Sequence, residues 1–102
     1  MVLELLVGLN VTDDQSYQRY REGMTPILKS YGGGFSNDFR IEEVLKSKTE
    51  APINRVFTIF FPDRAAKDRF FADEQYLQVK ARFYDVSVQD TTILASYERS
   101  SD

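Results

Sequence analysis

The chain has 102 residues, 42% of them hydrophobic and 28% charged, with a formal net charge of -3 and no His, Cys or Trp. That length and apolar share fit a single folded domain over 1–102, with 99–102 as a frayed tail. The missing residue types exclude disulfides, zinc–cysteine sites, histidine metal sites, a catalytic thiol and an imidazole base.

Residues 2–11 read as a strand, with Leu3, Leu5, Val7, Leu9 and Val11 on one apolar face and Val2, Glu4, Leu6, Gly8 and Asn10 on a mixed one. A helix follows. Thr12 and Gln15 have the form of a capping box, and Tyr17, Tyr20, Met24, Ile27, Leu28 and Tyr31 recur at helical spacing. Pro26 predicts a kink or restart near Thr25, and Gly32-Gly33-Gly34 ends the helix. Residues 35–45 read as a second strand, with a bulge at Asn37-Asp38 or near Glu42-Glu43 where the apolar phase shifts. Residues 47–52 form a polar loop ending in proline.

Residues 55–61 give the clearest strand. Phe57, Ile59 and Phe61 lie on one face, Val56, Thr58 and Phe60 on the other, and both are largely apolar. Asp63 caps a second helical region with Ala66 and Phe70 inward, and Asp73 restarts it with Tyr76, Val79, Ala81, Phe83 and Tyr84. Residues 91–97 close the pattern with Ile93, Ala95 and Tyr97 alternating. The order β-α-β-β-α-β is α+β and ferredoxin-like, an antiparallel sheet with its helices on one face.

The opposite sheet face then carries Val56, Phe60 and Leu6, and a chain this short offers no third layer to cover it. Burying large apolar side chains is worth roughly 1.5–3 kcal/mol each. This predicts a homodimer through the sheet face.

Acidic residues outnumber basic ones, 16 against 13. With the two signs interleaved, no nucleic-acid partner is expected. No apolar run approaches a membrane span, so no membrane partner is expected either. The absence of Cys and of a basic, signal-like start fits a cytoplasmic location.

Tyr17-x-x-Tyr20, Pro26, Tyr31-Gly-Gly, Phe61-Pro62, Ala66, Phe70, Tyr76 and Arg82 together resemble a known pattern. The chain resembles the dimeric α/β-barrel superfamily and is similar to the family catalogued as domain of unknown function 1330, over about residues 5–82. The resemblance implies a ferredoxin-like protomer whose sheet packs on a second copy. Three polar positions of the usual pattern differ: Gly34 replaces a basic residue, Lys46-Ser47 replaces Glu-Gly, and Phe60 replaces a Glu. Relatives in the wider superfamily degrade haem, oxidise quinols or isomerise lactones, but a chain without histidine offers no axial imidazole.

Six residues are candidate ligand-binding groups: Tyr20, Tyr31, Arg40, Arg55, Tyr76 and Arg82. The tyrosines could line a pocket between helix and sheet, or simply pack the core with their phenol tips in water. Arg82 could fork a carboxylate or join a surface ion pair. Arg40 and Arg55 flank the loop between the second and third strands, at a pocket mouth or a solvated strand end. The triple glycine follows a helix instead of preceding one, so it is no phosphate cradle. Asp13-Asp14 complements the helix dipole, and no metal or cofactor is expected. The leading expectation is a dimer that binds a small organic, anionic or neutral, molecule between helices and sheet. A cofactor-free isomerase or monooxygenase and a ligand-free structural dimer are the rivals.

Overall fold

In the computed structural model, which describes residues 1–101, β1 (Val2–Val11) sends Leu3, Leu5, Val7, Leu9 and Val11 into the core. Next come α1 (Asp14–Ser30), β2 (Gly34–Arg40), β3 (Arg55–Phe61), α2 (Arg64–Ala72) and α3 (Glu74–Val79). A π-helical turn (Lys80–Tyr84) then leads into β4 (Val88–Arg99). The four strands form one antiparallel sheet in the order β2-β3-β1-β4, with the helices on one side. This is the ferredoxin-like α+β arrangement.

The register explains the two faces. Leu3, Leu5 and Val7 pair with Phe61, Ile59 and Phe57 on the helix side. Glu4, Leu6 and Gly8 pair with Phe60, Thr58 and Val56 on the outer side. Tyr17, Tyr20, Met24 and Leu28 form the buried stripe of α1 and meet the inner face.

Several local expectations change. The cap of α1 is Asp13, which accepts from the Ser16 amide at 3.1 Å, while the Thr12 hydroxyl donates to the Ser87 carbonyl. Either oxygen could cap, and the chain turns one residue later than the box suggests. Pro26 neither breaks α1 nor restarts it. An interior proline costs about 3 kcal/mol, and burying Met24 and Leu28 on either side of it returns roughly 1.5–3 kcal/mol each. The helix ends in a Schellman motif, with Gly33 N–H on the Leu28 carbonyl, Gly32 N–H on the Lys29 carbonyl and Gly32 at φ 81°.

β2 stops at Arg40, five residues short of the expected 35–45, and its bulge falls between Phe35 and Asn37. β4 is longer than 91–97 and reaches Arg99, inside the segment expected to fray. Its ladder to β1 shifts between Leu6 and Val7 and again between Asn10 and Val11, which bends the long edge strand.

The residues lost from β2 supply what the sequence reading did not foresee. Segment 41–54 crosses the outer face of the sheet as a partial third layer. Ile53 sits over Gly8, where a Cβ would come within 2.9 Å of its Cδ1. Lys48 Nζ reaches the Leu94 carbonyl on β4 at 2.9 Å. The far end of that face carries polar side chains. Glu4 is only 4% exposed and takes hydrogen bonds from Ser36 Oγ, Tyr97 OH and Arg99 Nε. The outer face is therefore partly covered within one chain, but Phe39 and Leu45 remain 53% and 88% exposed. Among the described residues no helix is long and apolar enough to cross a membrane.

Candidate functional site

The helices do not seal the inner face of the sheet. A cleft of about 350 Å³ lies between α1, α3 and the strands. Its floor is Leu5 and Val7 of β1 with Phe57 and Ile59 of β3. Tyr17, Tyr20 and Met24 fall on its wall because they follow one another at helical spacing. Tyr76 of α3 and Tyr84 of the π turn form the opposite wall, and Ile93 of β4 lies at the open edge.

The phenols and the Thr91 hydroxyl are the cleft's uncharged polar groups. Tyr20 OH and Tyr76 OH are hydrogen-bonded at 2.9 Å, in a buried environment. Tyr84 OH meets Thr91 Oγ1 at 2.5 Å, and Tyr17 OH accepts from Arg21 Nε at 2.8 Å. Burial drives the Tyr20 phenol far above its ordinary pKa, with its Tyr76 neighbour adding to the rise. Burial pushes Tyr76 up to about 12, against the opposing effect of its bond to Tyr20. Tyr17 and Tyr84 are raised for the same leading reason. All four are neutral at physiological pH, where they act as hydrogen-bond donors and acceptors and not as bases.

Charge enters at the β2 end. Asp38 accepts two bonds from Arg55, both at 2.8 Å, and two longer ones from Arg21, at 3.1 and 3.4 Å. Burial alone would raise the Asp38 carboxyl, but the Arg55 bond and the charges of both arginines outweigh it and hold the group below its usual range. The Arg21 guanidinium lies 4.0 Å from the Phe35 ring centre and 4.9 Å from that of Phe57, so it closes the cleft on an aromatic bed. At the opposite end Lys80 pairs with Asp85 at 2.9 Å.

The six residues singled out by sequence are distributed over several places. Tyr20 and Tyr76 meet in the cleft. Arg40 and Arg55 are cross-strand partners and line a separate hollow of about 200 Å³ with Asn54. Arg55 also lies over the Tyr17 ring, 5.2 Å from its centre. Tyr31 lies outside the cleft. Its hydroxyl donates to Asp73 at 2.7 Å, which ties the end of α1 to the cap of α3 and raises the phenol pKa. Arg82 also lies off the cleft, 5.5 Å over the Phe83 ring.

Sequence reasoning missed Arg21, Asp38 and Lys80. Arg21 follows Tyr17 by four residues, a spacing that could have marked it as a cleft neighbour. Asp38 carried no such signal, because only the β2–β3 register sets it among the arginines. Among the described residues no group of three or more Asp or Glu side chains gathers as a metal site would require.

The comparisons agree with this architecture. A family model described as "Domain of unknown function (DUF1330)" matches residues 5–97. A protein of unknown function from Rhodopseudomonas palustris superposes with a TM-score of 0.82 at 15% identity, covering 99% of this chain and 84% of that one. A dimeric ferredoxin-like protein of unknown function from Jannaschia sp. CCS1 gives 0.60 at 15% identity, covering 97% and 100%. A candidate antibiotic biosynthesis monooxygenase from Nitrosomonas europaea gives 0.59 at 12% identity, covering 98% and 91%. At these identities the likeness is one of fold. Among curated proteins no sequence matches.

Proposed function

The chain belongs to the DUF1330 family, and from that premise we propose that it is a homodimeric binding protein holding one small organic molecule per protomer in the helix–sheet cleft. The observation that carries this reading is the cleft itself. At about 350 Å³ it falls in the size range of small-molecule sites, and its apolar walls hold a few converging hydroxyls. Dimerisation through the outer sheet face is part of the reading. It is supported by the exposed Phe39, Tyr97 and Leu45 on that side and by the dimeric ferredoxin-like protein of the same fold. A cytoplasmic setting belongs to it as well, since a chain without Cys needs no oxidising compartment. Neither nucleic acid nor membrane has a part in it.

The monooxygenase among the fold neighbours raises a catalytic alternative. Proton abstraction would need a base in the cleft. The phenols there are held neutral, and the carboxylate of Asp38 is neutralised by two guanidiniums. These groups bind and orient better than they remove protons.

The test uses a neutral, flat probe. The chain has no Trp, so 2-naphthamide fluorescence can be read without indole background. Saturable binding at one site per chain is expected, together with its weakening in Ile93→Phe, which crowds the mouth of the cleft and adds no indole. A wild-type protein that binds neither this probe nor its carboxylate counterpart, 2-naphthoate, saturably sinks the proposal.

A further inference from the structure

We propose that the ligand of this cleft is an aryl carboxylate, and that Arg21 is the residue that selects its anionic end. The inference rests on the cleft being a ligand site and adds the chemical class of what enters it.

The cleft runs across the strand direction from Phe35 on β2 to Thr91 on β4. Three inter-strand steps make this about 14 Å, long enough for a fused ring system with its substituent. Phe35, Phe57, Tyr17, Tyr20 and Tyr84 offer ring faces and edges along that path. The body of a fitting ligand is therefore flat and aromatic.

The charge at one end specifies the rest. Arg21 and Arg55 share the carboxylate of Asp38, and Asp14, whose charge also acts on Arg55, is offset by Arg40 in the neighbouring hollow, so the group keeps one uncompensated positive charge. Arg55 holds Asp38 in a close fork, while Arg21 holds it by the longer pair of contacts. The excess charge thus lies with Arg21, the member that lines the cleft. Its side chain is only 12% exposed and is fixed by Tyr17 and by the rings beneath it. A poorly matched, desolvated cation favours an incoming anion. A planar carboxylate suits the guanidinium fork and carries the one charge required. A phosphate would bring more charge and more polar surface than these apolar walls can satisfy. At the β4 end Lys80 is matched one-to-one by Asp85 and adds no excess.

The test compares 2-naphthoate with 2-naphthamide, which share a ring system and differ in charge. The readout is the ratio of their affinities. In the wild type the acid should bind at least about tenfold more tightly, the scale of a charge-assisted hydrogen-bond pair. Arg21→Gln should bring the ratio close to one while amide binding persists. Asp38→Asn, which removes the competing carboxylate, should raise the ratio above the wild-type value. Lys80→Gln, which frees Asp85 at the distant end, should change it much less than Arg21→Gln does. Amide binding in each variant reports that the cleft is still formed. If both probes bind the wild type equally, the anion assignment fails while the cleft reading survives. A ratio kept in Arg21→Gln but lost in Lys80→Gln overturns the role of Arg21. Should Arg21→Gln not fold, an unchanged ratio in Asp38→Asn overturns the proposal. If neither probe binds, the cleft reading itself fails.

Discussion

Ser36 on β2 donates a 2.6 Å hydrogen bond to Glu4 on β1 although β3 lies between the two strands. The carboxylate reaches over the neighbouring strand at the bulge that follows Phe35. On its other side it takes Tyr97 and Arg99 of β4, and the Arg99 guanidinium lies 5.5 Å over the Phe60 ring. One buried side chain therefore ties β2 and β4 to β1 across the outer face, and Arg99 carries the contact on to β3.

Glu4→Gln should consequently destabilise the fold by about 2–3 kcal/mol, the scale of hydrogen bonds to a buried charge. The pH dependence follows from the direction of the Glu4 pKa. Burial alone would raise it, but the bonds from Ser36, Tyr97 and Arg99 prevail and lower it. A depressed carboxyl contributes stability above its unfolded pKa, about 4.3 for a glutamate. That contribution is lost as pH falls through the lower, folded value. Urea denaturation of both proteins should show a steady gap near neutrality that closes below about pH 4.

The phenol pair gives the opposite slope at the other end of the scale. Tyr20 and Tyr76 have raised pKa values, Tyr76 to about 12. Their contribution is complete below the unfolded tyrosine value of about 10 and is lost as pH climbs toward the folded one. Stability should fall with pH from about 10 upward, and Tyr20→Phe should flatten that fall. A double-mutant cycle with Tyr76→Phe should give a coupling of about 0.5–1.5 kcal/mol, typical of one hydrogen bond. Additive effects of the two substitutions would show that the hydroxyls do not act as a pair.

Two glycines separate a close approach at the end of α1 from the cover over the outer face. A Cβ on Gly33 would lie 2.7 Å from the Phe60 carbonyl oxygen and 2.6 Å from Leu28 Cδ1. Backbone cannot yield there, and Gly33→Ala should cost about 2–3 kcal/mol, as overpacking does. A Cβ on Gly8 meets the end of Ile53, a side chain carried on segment 41–54 that can turn aside. Gly8→Ala should therefore cost less than about 1 kcal/mol if that segment is the only obstacle. Thermal unfolding of the two variants side by side checks the order.

Much of this arrangement is legible in the sequence. Alternation in residues 2–11 and 55–61 sets both sheet faces. Asp63 and Asp73 start α2 and α3 as their side chains suggest, accepting from the amides of Ala66 and Tyr76. What escaped the sequence depends on groups far apart along the chain. Glu4 looks like a polar interruption until Ser36, Tyr97 and Arg99 gather around it. Residues 41–45 read as the end of a strand and 47–52 as a polar loop until Ile53 is seen over Gly8 and Lys48 is seen to reach β4. The same holds for the cleft. Tyr20 and Tyr76 were visible as apolar-face residues, whereas Arg21 becomes a cleft residue only because β2 brings Phe35 beneath it and Asp38 beside it.

The remaining prediction concerns assembly, and the partial third layer sharpens it. A bare apolar sheet would pair face to face over its whole area. This face instead has a polar cluster around Glu4 at one end and segment 41–54 across the other, so a partner must seat on what is left exposed. Phe39 at the β2 edge, Tyr97 on β4 and Leu45 on the loop are those residues. Light scattering should give twice the 11.8 kDa chain mass at micromolar concentration. Leu45 lies on a loop and 88% exposed within one chain, so Leu45→Asp has no reason to disturb the protomer fold. Its cost should appear as weakened dimerisation, by about tenfold or more, from the roughly 1.5–3 kcal/mol that a fully buried leucine contributes. Phe39→Asp should act in the same direction. A wild-type mass equal to one chain would refute the dimer. A dimer undisturbed by either substitution would move the interface away from this face.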